Sequence, residues 1–152
     1  MGDGLMALFG APLALDDSAV SSVLCALRMR EALVAFNEER KAQNKPPLEI
    51  GIGVDVGEVV TGMIGSTHTI QYTAIGDPVN TASRLCDVAK PGQIVLSQRA
   101  MDRVSEHVEA ETLGLVKVKG KHDELLVFNV LRSVEGGLSG EVTDPFGKKA
   151  PS

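Results

Sequence analysis

The sequence predicts an α+β domain in which helices pack on a mostly antiparallel sheet. Apolar spacing switches repeatedly between the helical period and period two along the chain. Several neighbouring strand-like segments are joined by links far shorter than a parallel crossover needs, which argues against a doubly wound parallel sheet. At 152 residues the chain is long enough for one domain with its own core.

Taken in order, Asp3-Gly4 forms a turn dipeptide, and Leu5-Met6-Ala7-Leu8-Phe9 is an apolar run short enough for a buried strand. This reads as the second arm of a hairpin with no first arm, so a preceding portion is expected to be missing. From Asp17, an Asx cap, the positions Val20, Val23, Leu24 and Leu27 predict a helix that runs past Leu33 and Phe36 and stops between Asn44 and Pro47. Leu48, Ile50, Ile52, Val54 and Val56 alternate at period two, and a second apolar stretch, Val59-Val60 and Met63-Ile64, is expected to pair with them.

Residues 72–75 read as a further strand, followed by Gly76-Asp77-Pro78: a turn, an N-cap acid and a proline suited to the first helical position. That helix should run to about Ala89, before Lys90-Pro91-Gly92. A short strand at 93–96 and a brief helix capped by Ser97 come next. Residues 113–119 and 125–130 predict an antiparallel hairpin. The domain is expected to span 1–133, and residues 134–152, rich in Gly, Ser, Pro and charge, to form a disordered tail.

A formal net charge of −5 argues against a nucleic-acid-coating role, which needs a clustered positive face. No apolar run approaches the ~20 residues of a membrane-spanning helix, and no secretory signal pattern opens the chain, so a cytoplasmic location is expected, either free or as the cytosolic part of a larger, membrane-attached protein. Cys25 and Cys86 show no metal or redox spacing and read as buried reduced thiols. His68, His107 and His122 likewise lack ligand spacing and read as surface residues. Gly51-Ile52-Gly53 through Gly57 has the wrong spacing and context for a dinucleotide-binding loop.

Asn80 and Arg84 lie one helical turn apart, just after a helix start, so an amide and a forked guanidinium share a face near free backbone donors. Such an arrangement suits phosphate oxygens. The same spacing equally fits a solvated Asn and Arg on a helix whose core face is Val79, Ala82 and Cys86, and periodicity alone leaves both readings open.

Residues 71–85, QYTAIGDPVNTASRL, closely resemble the YTxxGDxVNxASRL signature of the class III adenylyl and guanylyl cyclases. Residues 2–10 resemble that family's metal-site hairpin, residues 51–65 its GIGxxxGxVxxGxIG strand pair, and Lys117-Val118-Lys119-Gly120-Lys121 its late VKGK element. The resemblance covers roughly residues 1–132 in the family's order. It implies a ferredoxin-like cyclase homology domain lacking the N-terminal strand and helices.

The resemblance further implies an adenylate cyclase fragment that converts ATP to 3′,5′-cyclic AMP and pyrophosphate in intracellular signal transduction. Asp3 matches a metal-binding carboxylate, which with a partner Asp would hold two Mg2+ or Mn2+ ions. Asn80 would orient the ribose, and Arg84 would stabilise charge on the α-phosphate. Thr73 falls at a base-selecting position, where its hydroxyl can accept from the adenine amino group. Lys119 matches a triphosphate-contacting lysine, although three lysines in this loop, Lys117, Lys119 and Lys121, also fit simple solvation.

Active sites in this family form between two subunits, so a homodimer with composite sites is implied, together with an upstream sensor or regulatory domain. The family's other metal-binding Asp and its base-reading Lys match nothing in this sequence. Little or no activity is therefore expected from the chain alone, and the alternative function is a non-catalytic cyclase-like module for dimerisation or nucleotide sensing.

Overall fold

The computed structural model describes residues 3–120 and 122–134. The expected tail therefore lies, apart from Val134, outside the described residues. Helix α1 (Ser18–Ala42), strand β1 (Ile52–Val54), the hairpin strands β2 (Val60–Ser66) and β3 (Thr69–Ile75), helix α2 (Asp77–Val88), strand β4 (Ile94–Ser97), helix α3 (Gln98–Val104), and strands β5 (Val108–Lys117) and β6 (Glu124–Ser133) follow in order. They form the α+β architecture expected, with one four-stranded sheet ordered β1-β4-β6-β5 and a separate β2-β3 pair. Among the described residues only β1-β4 is parallel; the β4-β6, β5-β6 and β2-β3 pairs are antiparallel.

Helices cover both faces of the larger sheet. Val23, Ala26 and Leu27 of α1 and Ala100 and Val104 of α3 bury against Ile94, Leu96 and Val130 on one side. Leu85 of α2 buries against Val95 and Val127 on the other. This two-sided cover explains why all of β4 is buried and why its sequence is an apolar run without alternation. Fully burying side chains of this size stabilises the fold by about 1.5–3 kcal/mol each.

Arg30 ties α1 to the end of β6: its Nη1 donates to the Val130 carbonyl at 2.9 Å and its Nη2 to the Leu131 carbonyl at 2.6 Å. In the sheet interior, Asn129 replaces a missing ladder partner. Its Oδ1 accepts from the Ile94 amide at 3.2 Å, and its Nδ2 donates to Glu111 at 3.0 Å.

Four local expectations are corrected. Leu5 to Phe9 is not a strand, because no described strand pairs with it, and Leu5 is 81% exposed. The period-two stretch from Leu48 yields a strand only at Ile52–Val54, since Asn37 captures the Leu48 backbone: its Nδ2 donates to the Leu48 carbonyl at 2.9 Å and its Oδ1 accepts from the Leu48 amide at 2.8 Å. The second apolar stretch pairs with β3, in the register Val60 opposite Ile75 to Ser66 opposite Thr69, and not with β1. Asp17 makes no side-chain cap bond to α1.

Candidate functional site

Helix α2 is the element that carries both Asn80 and Arg84, and its seat is set by Gly53 on β1 and Gly51 just before it. A Cβ on Gly53 would stand 2.3 Å from the Ala82 carbonyl oxygen and 2.4 Å from the Cys86 nitrogen, and one on Gly51 would stand 2.9 Å from Ala89 Cβ. Backbone therefore lies directly on backbone, a closeness that any side chain at Gly53 would abolish. The Gly51-Ile52-Gly53 pattern is thus a packing seat for a helix, consistent with rejecting a dinucleotide loop. Cys86, at the same contact, donates its thiol to the Gly51 carbonyl at 3.3 Å. It is exposed and Cys25 is partly buried, so neither is the fully buried thiol expected.

The helix buries Pro78, Thr81 and Leu85, one position out of phase with the expected core face of Val79, Ala82 and Cys86. Packing from β1 at Ala82 and Cys86 is backbone-level, so the side-chain core falls on the adjacent stripe. Asn80 is left exposed and Arg84 half-buried on the opposite side. Gly76, not Asp77, is the N-cap, with no side-chain cap bond; Asp77 is the first helical residue, followed by Pro78. The Asp77 carboxylate pairs with Arg99 Nη2 at 3.0 Å.

The turn after β5 closes over Arg84. A Cβ on Gly120 would lie 2.7 Å from Arg84 Nη2 and 2.9 Å from Nη1, and Gly120 itself has φ +87°. A left-handed turn at glycine thus lets the chain rest on the face of the guanidinium. Arg84 makes no hydrogen bond or ion pair among the described residues, so its donors are uncommitted there. Lys119, the residue before this turn, is exposed, while Val118 is buried and anchors the turn. The fold thus brings together Asn80, Arg84 and the turn carrying Lys119.

Thr73 sits half-buried on β3, opposite Gly62, on the hairpin arm that leads directly into α2. Asp3 is exposed in the opening segment, and among the described residues no hydrogen bond or ion pair links it to the other site residues. Among the described residues no group of three His, Cys, Asp or Glu side chains converges. One exposed carboxylate does not make the two-ion site that the sequence implies, and no chemical step is derived through one.

Sequence reasoning missed Asp55 and Arg99, and read Ser97 only as a helix cap. The Asp55 side chain is completely buried. Its Oδ1 accepts from Ser97 Oγ at 2.5 Å, from the Val56 amide at 2.9 Å and from Arg99 Nε at 2.7 Å, while its Oδ2 takes a second bond from Arg99 Nη2. The bonds to Asp55, foremost, and to Asp77 push the Arg99 pKa up against the opposing effect of burial, so the guanidinium is charged at any working pH. The only sequence signal was a carboxylate inside an apolar alternating run.

The family model for the adenylate and guanylate cyclase catalytic domain matches residues 1–131. "Adenylate cyclase 1" of Rhizobium meliloti is 36% identical over 132 residues, covering 86% of this chain and 20% of that protein. Among solved structures, the guanylyl cyclase Cya2 superposes with a TM-score of 0.83 at 34% identity, covering 90% of this chain and 69% of that one. The adenylyl cyclase CyaB from P. aeruginosa superposes with a TM-score of 0.79 at 28% identity, covering 84% and 66%. The chain thus spans about a fifth of the length of the first curated relative. No helix among the described residues is long and apolar enough to cross a membrane.

Proposed function

Because the chain belongs to the adenylate and guanylate cyclase catalytic domain family, we propose that it serves as the nucleotide-handling part of an adenylate cyclase. The reaction joins the ribose 3′-oxygen of ATP to the α-phosphorus and releases pyrophosphate, giving 3′,5′-cyclic AMP. Asn80 holds the ribose, Arg84 meets the charge that grows on the α-phosphate, and Lys119 contacts the triphosphate tail. Thr73 accepts from the adenine amino group, which supports ATP over GTP. Asp3 would contribute one carboxylate towards the divalent ions that this chemistry uses.

The observation that carries this reading is the Arg84 guanidinium, uncommitted among the described residues, lying against Gly120 and one turn from Asn80. A homodimer with composite sites is part of the proposal. The β2-β3 arm supports it, since Val60, Met63, Ile64, Ile70 and Ile75 are all more than half exposed there.

Cyclic nucleotide formation from ATP and from GTP with Mn2+, by the chain and by any longer product of its gene, tests the reading. Arg84→Met should lower turnover about 10²–10³-fold while nucleotide affinity changes far less. Loss of affinity in equal measure, or a preference for GTP, refutes the assigned roles. The isolated, exposed Asp3 favours a second reading, a nucleotide-binding module without turnover, which tight nucleotide binding with no cyclic product in either form would establish.

A further inference from the structure

We propose that Arg99 is a positioning residue that holds the first turn of α2, and with it Asn80 and Arg84, by bridging the buried Asp55 to Asp77. The inference rests on the nucleotide-handling role proposed above for α2.

The start of α2 is weakly held from within. Its N-cap is Gly76, without a side-chain cap, and its first helical bond, from the Asn80 amide to the Gly76 carbonyl, is long at 3.4 Å. An external tether fills this gap. Arg99 Nη2 donates to Asp77 Oδ2 at 3.0 Å, and Asp77 lies three and seven positions before Asn80 and Arg84, hence on their stripe of the helix.

An exposed ion pair of this kind is ordinarily worth little, because two long side chains must be ordered to make it. Here the ordering is already done. The Asp55 carboxylate, fully buried and bonded by Ser97 Oγ and the Val56 amide, grips the Arg99 fork through Nε and Nη2. Arginine's planar fork makes two directed contacts at one end and leaves a donor aimed at Asp77. Ser97 also caps α3, accepting from the Ala100 amide at 3.1 Å, so β1, α2 and α3 meet at one cluster.

The test compares Asp77→Ala, which removes the acceptor of Arg99 Nη2 at the helix start, with Arg99→Gln and Arg99→Lys. Amide hydrogen exchange at Asn80 and through the following turn of α2, and kcat and KM for ATP with Mn2+, are read in the longest gene product. Expected are faster exchange in this turn for all three variants and a kcat loss of about tenfold to hundredfold, with KM little changed. Lysine should fail to rescue because it cannot fork. Unchanged exchange in the folded Asp77→Ala variant, or a kcat within about twofold of the parent, overturns the inference. If the parent neither binds nor cyclises nucleotide, the proposed function fails, and the exchange measurement still decides the tether.

Discussion

Replacing Gly53 by alanine probes the seat of α2 with a single methyl. That methyl would lie 2.3 Å from the Ala82 carbonyl oxygen, whereas ordinary contact begins near 3.4 Å, so α2 must retreat by about 1 Å. None of the three atoms it meets belongs to a flexible side chain: Ala82 O, Cys86 N and Leu85 C are all helix backbone. Overpacking of this kind costs about 1–3 kcal/mol. A retreat of this size also displaces Asn80 and Arg84, and misplacement by about 1 Å can cost on the order of 10²-fold in rate. Urea unfolding measures the first effect, and cyclic nucleotide formation by the longest gene product the second. Gly62→Ala is the control, because a Cβ there meets nothing within 4 Å. If Gly53→Ala unfolds at the parent's urea concentration with undiminished turnover, the direct backbone seat is wrong.

Two further outcomes follow from the same geometry. Gly120→Ala should lower turnover by pressing on Arg84 Nη2 and should cost about 1–2 kcal/mol through its left-handed φ of +87°; steady-state kinetics and thermal unfolding check both. Asn129→Ala should destabilise the sheet by about 1–3 kcal/mol, because it strips the Ile94 amide of its acceptor inside the fold, and urea unfolding reads this directly.

Much of this architecture was legible because local chemistry and tertiary use agree. Pro78 falls in the first turn of α2, Ser97 caps α3, and β5 and β6 form the hairpin expected from their short link. Elsewhere a side chain acting at a distance decided the outcome. Nothing around Leu48 announces that Asn37 will occupy its backbone, so the alternation there promised more strand than formed. Alternation assigns faces but not partners, which is why β2 could be matched to β1 when its ladder is with β3. Of the candidate site, spacing showed only that Asn80 and Arg84 share a face, and their proposed roles came from the resemblance. The burial of Asp55 was not legible, because it depends on Arg99, 44 residues further on.

The β5-β6 hairpin also bears on the order of assembly. Its strands are neighbours in sequence and the longest in the fold, so closing their short link costs little chain entropy. The parallel β1-β4 pair, by contrast, must close a loop that contains the whole β2-β3 arm and α2. Loop-closure entropy therefore favours early formation of β5-β6 and late docking of β1 with α2. Substitutions at Gly53 should then act mainly on the unfolding rate, and substitutions in the hairpin on the folding rate. The surface proposed to meet the nucleotide is in this sense the last part of the chain to acquire its shape.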